Sequence, residues 1–112
     1  MSKIKVIVEA LDDLKLKDII VYDMRERSPF FDYFVLSTAS NTRQLKAAIN
    51  HLKENLSAAK YQNPDVEGAQ SEAWILLDAK DVIVNIFTEA ERKYYNLEKM
   101  WMDVDQVDVT RL

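Results

Sequence analysis

AWILLDAKDVIVNIFTEAERKYYNLEKMW, residues Ala73 to Trp101, is the stretch around which the chain is organised. Two apolar runs, Trp74–Leu77 and Val82–Phe87, flank the polar break Asp78-Ala79-Lys80-Asp81. β-Branched and aromatic residues fill both runs and aspartate favours turns, so the spacing predicts a β-hairpin. Thr88, with Glu91 three residues on, forms a capping box that opens a helix. Ala90, Tyr94, Leu97 and Trp101 then recur at i, i+4, i+7 and i+11, one face of that helix. Hairpin and helix gather two tryptophans, two tyrosines and several carboxylates into one unit, which reads as a protein-binding face.

Upstream, Ser2 caps a helix whose apolar stripe is Ile4, Ile7, Val8, Leu11 and Leu14. Asp18 to Met24 is a short apolar run bounded by charge, and Tyr33 to Ala39 a second strand. Asn41 and Gln44 are spaced as a capping pair for a helix with Leu45, Ile49, Leu52, Leu56 and Ala59 on one side, ending near Lys60. Val66-Glu67-Gly68 is a short edge strand holding the only glycine. The order is helix, two strands, crossover helix, three strands, helix: a single α/β domain with a mixed five-stranded sheet and flanking helices. The domain is expected to span 1–102, leaving 103–112 (DVDQVDVTRL) as a loosely held acidic tail.

At 112 residues the chain supports one real core. It has no cysteine, which excludes disulfides and thiolate metal sites and fits a reducing compartment. No apolar run approaches the roughly 20 residues of a membrane helix, and the N-terminus lacks a leader layout, so a cytoplasmic protein is expected. Charge is uneven. Residues 1–64 carry ten Lys/Arg against eight Asp/Glu; residues 65–112 carry five against eleven, a net of −6. Phosphate repels that acidic half, whereas a basic protein is steered to it, so no sequence-specific nucleic-acid contact is expected.

Catalytic constellations are scarce. His51, the one histidine, has no second histidine or cysteine to share a metal and reads as structural. A single glycine builds neither a phosphate-cradling loop nor a dinucleotide fingerprint. Asp78 and Asp81 read as turn formers, since a divalent cation recruits more oxygens than one pair supplies. Asp18, Asp23 and Asp32 bracket the first two strands, where strand-end acids hold magnesium in nucleotide transfer, yet nothing Gly-Ser-like seats a triphosphate. No metal or cofactor is expected. Trp74 shares a strand side with Leu76 and Asp78, which carries that side toward solvent and makes Trp74 an anchor candidate.

Nearly the whole chain resembles the ribosomal silencing factor, or Iojap, family. The resemblance lies in Asp32-Tyr33-Phe34-Val35, Ser37-Thr38 through Ser40-Asn41-Thr42-Arg43-Gln44, Val66-Glu67-Gly68, Trp74-Ile75-Leu76-Leu77-Asp78, Asp81-Val82-Ile83-Val84, and Glu91-Arg92 through Tyr95-Asn96-Leu97-Glu98-Lys99 to Trp101. It implies a nucleotidyltransferase-like fold without the transferase active site and no enzymatic activity. It also implies binding of the large ribosomal subunit through protein fourteen on the intersubunit face, which keeps the small subunit from joining and represses translation under nutrient limitation. The implied contact residues are Trp74, Asp78 and Asp81 of the hairpin and Tyr95, Asn96, Leu97 and Glu98 of the last helix. Three positions depart from the family: Ala79-Lys80 stands for an aromatic residue and glycine, Asn85 for histidine, and Ala39 or Ser40 for glycine. The alternatives are a residual nucleotide-binding or nucleotidyltransferase-like enzyme using Asp18, Asp23 or Asp32, a role in large-subunit assembly, and a weak homodimer off the ribosome through the Trp74 face.

Overall fold

The protein is seen here as a computed structural model, which describes residues 2–95, 99 and 102–112, with Tyr94 and Tyr95 described by backbone alone. The elements are α1 (Lys3–Asp13), β1 (Lys17–Asp23), β2 (Tyr33–Ala39), α2 (Thr42–Ala58), β3 (Asp65–Glu67), β4 (Trp74–Asp78), β5 (Val82–Thr88), α3 (Glu89–Tyr95) and β6 (Gln106–Val107), followed by a 3-10 turn at Val109–Arg111. The Ser2 and Asn41 caps form as the sequence predicts. Ser2 Oγ accepts the Lys5 N–H at 3.3 Å, and Asn41 Oδ1 accepts the Gln44 N–H at 2.8 Å. Gln44 completes its part by accepting from the Ser40 N–H at 2.7 Å, and its own amide donates to the Leu14 carbonyl at 2.7 Å, tying α2 to the end of α1.

The strands form one sheet in the order β3-β4-β5-β2-β1-β6. Only the central β2–β5 pair is parallel, joined through α2, β3 and β4; the others are antiparallel. Six strands stand where five were expected, because the acidic tail is no loose end. Val107 pairs with Val21 and Gln106 with Tyr22, while Val104 is buried against Tyr22 and Met24. One valine in a core gap and a two-residue ladder suffice to hold the segment, even though its composition supplies little apolar bulk.

The two sheet faces differ. Helices α1 and α2 cover one, burying Ile7, Leu11, Leu45, Leu52 and Leu56 against Val21, Val35, Ile75, Leu77, Val84 and Ile86. The second face carries a smaller cluster of Tyr22, Met24, Leu36, Phe87 and Val104, with Ile20, Phe31, Phe34 and Trp74 packed at its margin and only partly buried. Gly68 closes the turn from β3 toward β4 at φ +79°, and a Cβ there would lie 2.9 Å from the Trp74 carbonyl oxygen. Only glycine allows that approach, which fixes where the β4 backbone begins.

Candidate protein-docking site

Strand alternation places Trp74, Leu76 and Asp78 on the second face, and each is half-buried while Ile75 and Leu77 are sealed beneath the helices. The register then adds partners. Trp74 lies opposite Phe87, Leu76 opposite Asn85, and Asp78 opposite Ile83; β2 sets Phe34 beside Ile83 on the other flank. Phe34, Trp74, Leu76 and Ile83 thus form a partly open apolar patch across three strands. Edge strand β3 brings Asp65 opposite Asp78 and Glu67 opposite Leu76, both exposed, so the patch has an acidic rim.

Trp74 is neither sealed in the core nor standing free. Its ring stacks on Phe87 with centroids 4.9 Å apart at 25°, and its Nε1–H donates to Asn85 Oδ1 at 3.1 Å. Such a stack is worth about 0.5–1.5 kcal/mol beyond burial and fixes the ring plane. Asn85 is fully buried, its Nδ2 has no hydrogen-bond partner among the described residues, and its backbone carbonyl accepts from Ser37 Oγ at 3.1 Å. A polar residue inside the apolar run Val82–Phe87 was the sequence signal for this latch.

The hairpin tip shows what its aspartates do. Asp78 Oδ1 accepts the Lys80 N–H at 2.9 Å, and the Ala79 N–H donates to the Val82 carbonyl at 2.9 Å, so Asp78 builds the turn. Asp81 Oδ1 takes a 2.7 Å ion pair from Lys3, whose ammonium also donates to the Ala79 carbonyl at 2.9 Å. Lys80 reaches back to Asp65 at 3.5 Å. The charges at the tip are therefore already partly paired within the chain, and the Asp81 carboxylate is still half-exposed.

Helix α3 leaves the end of β5 and is fastened by Arg92, which only the family resemblance had singled out. Its Nη1 donates to the Asp18 carbonyl at 2.6 Å and to Thr38 Oγ1 at 2.7 Å, and the side chain is buried. Of the implied contact residues from Tyr95 onward, Tyr95 is described by backbone alone, and Asn96, Leu97 and Glu98 lie outside the described residues.

Compared with known proteins, residues 1–112 match the family described as "Ribosomal silencing factor during starvation". The chain belongs to the ribosomal silencing factor family. It is 34% identical to the ribosomal silencing factor of Bacillus subtilis, over 96% of this chain and 92% of that one. Two crystal structures share the ribosomal silencing factor fold seen here. A Chromobacterium violaceum protein superposes with a TM-score of 0.82 at 36% identity, covering 88% of this chain and 82% of that one. A Bacillus halodurans protein gives 0.81 at 30%, covering 94% and 95%. The departures from the ribosomal silencing factor pattern now have physical content. Lys80, where the resemblance implies glycine, adopts φ 72°, a left-handed conformation that costs a side-chain-bearing residue about 1–2 kcal/mol. Asn85, where the resemblance implies histidine, supplies the acceptor for the Trp74 indole.

The three strand-end acids do not converge. Asp23 is held by Arg25 through contacts of 2.9 and 2.7 Å, and this pairing keeps its carboxyl below the usual carboxylate range. Arg27 does the same to Asp103 at 3.0 Å. Among the described residues no group of three His, Cys, Asp or Glu side chains could hold a metal ion, and no helix is long and apolar enough to cross a membrane. His51 is half-buried between Asp13 and Asn55, in the structural role its isolation predicts.

Proposed function

We propose that this chain docks on the large ribosomal subunit through a basic protein of the intersubunit face, protein fourteen, and represses translation by standing where the small subunit must join. The observation that carries the reading is the partly open patch of Phe34, Trp74, Leu76 and Ile83 with its rim of Asp65, Glu67 and Asp78. An aromatic anchor over an acidic rim suits a partner with an apolar recess among lysines and arginines, and the −6 balance of residues 65–112 speeds that encounter. In this reading Trp74 supplies apolar contact and Asp78, Asp81 and Glu98 pair with the partner's cations, with Tyr95, Asn96 and Leu97 adding to the contact. Repression follows from occupancy alone, with no bond made or broken. On two copies of the chain the same patch gives a weak homodimer that competes with the ribosome.

Sedimentation with separated subunits tests it. The protein is expected to pellet with free large subunits and not with small ones, with affinity falling as salt rises because the rim contacts are screened. Equal recovery with both subunits, or with neither, would remove the reading.

A further inference from the structure

Phe30 and Met102 are the exposed large apolar side chains among the described residues, at 84% and 80%. Phe30 rides on the loop between β1 and β2, and that loop is firmly built. The Arg27 and Ser28 N–H groups both donate to the Met24 carbonyl at 2.9 Å, the Met24 N–H donates to the Asp32 carbonyl at 2.8 Å, and the Phe30 N–H donates to Ser28 Oγ at 3.1 Å. Pro29 fixes the backbone just before the ring. Phe31, the next residue, turns inward against Phe34 with centroids 6.0 Å apart. One aromatic is tucked under the sheet face and its neighbour is presented to solvent by a hydrogen-bonded turn.

Two contacts join this loop to the rest of the surface. Arg27 grips the Asp103 carboxylate at 3.0 Å and its carbonyl at 2.9 Å, which brings the residue after Met102 onto the loop. The Asp32 N–H donates to the Asp81 carbonyl at 2.6 Å, which sets the loop beside the hairpin tip and makes it continuous with the docking patch. Both loop arginines are engaged by carboxylates, while Glu26, Asp32 and Asp105 stand exposed around them, so the charge here matches the acidic rim.

We propose that Phe30, backed by Met102, is a second anchor for the same basic ribosomal partner, seated in an apolar recess of that protein next to the one that takes Trp74. The loop backbone that carries the ring has little freedom left to lose on binding, and methionine adapts to an irregular surface. The proposal rests on the docking reading above. Sedimentation of Phe30→Ala with isolated large subunits tests it, with Trp74→Ala alongside. Phe30→Ala is expected to bind about tenfold more weakly at an unchanged melting temperature, and Met102→Ala to weaken binding less. Wild-type binding by Phe30→Ala beside weak binding by Trp74→Ala would overturn the second anchor and leave the docking face standing. Wild-type binding by both would overturn the face itself. A lowered melting temperature in Phe30→Ala would make the ring a folding element and likewise overturn the proposal.

Discussion

Trp74→Ala is expected to weaken association with large subunits by more than tenfold, a loss above about 1.4 kcal/mol. Trp74 is the largest side chain on the open face, and its position is fixed from two sides by the stack on Phe87 and the hydrogen bond to Asn85. Removal takes away the ring a partner would cover and uncovers Phe87 behind it. Because most of the residue is already packed, the substitution also touches the fold, and a melting curve must accompany the binding measurement. Trp74→Phe separates the contributions. It keeps an aromatic face against Phe87 but has no N–H for Asn85 Oδ1, and an intermediate loss is expected. A folded Trp74→Ala protein that binds like wild type removes Trp74 from the site.

Arg92→Ala is expected to lower unfolding free energy by about 2–3 kcal/mol, the range for a buried hydrogen-bonded charge. For a domain of this size that is a fall of about 10 °C in melting temperature. The guanidinium joins three elements: it starts on α3, reaches the Asp18 carbonyl at the beginning of β1, and donates to Thr38 near the end of β2. Asp18 itself is bent to φ 51° at an irregularity in the β1–β2 pairing, so the arginine braces the one place where that ladder is broken. Without it the buried Thr38 hydroxyl and the partly buried Asp18 carbonyl lose their donor and α3 loses its fastening to the sheet. Arg92→Lys is expected to recover only part of the loss, since the lysine ammonium ends nearer the backbone than Nη1 and is more strongly hydrated, hence costlier to bury. A melting temperature unchanged in Arg92→Ala would show that α3 is held by other contacts.

Much of the architecture was legible because its causes are local. The cap at Ser2, the Asn41–Gln44 pair and the turn at Asp78 are each decided within four residues, and each forms as read. Strand alternation in Trp74–Asp78 separated the buried Ile75 and Leu77 from the half-open Trp74, Leu76 and Asp78 before any register was known. The unread parts depend on residues distant in the chain. Strand β6 is two residues long and exists only because Val21 and Tyr22 offer it an edge. The patch gains Phe34 and Ile83 only when β2 and β5 come side by side, pairing residues 49 positions apart in sequence (83 − 34). The buried role of Arg92 needs Asp18 and Thr38 brought to it. The ion pair of Asp81 with Lys3 likewise joins residues far apart in the chain.

A subunit-joining assay followed by light scattering tests the central claim most directly. Large subunits are incubated with an excess of this protein before small subunits are added at a magnesium level that supports joining. Formation of joined ribosomes is expected to fall in step with occupancy of the large subunit, and to recover with Trp74→Ala. Normal joining by large subunits that demonstrably carry the protein would contradict it.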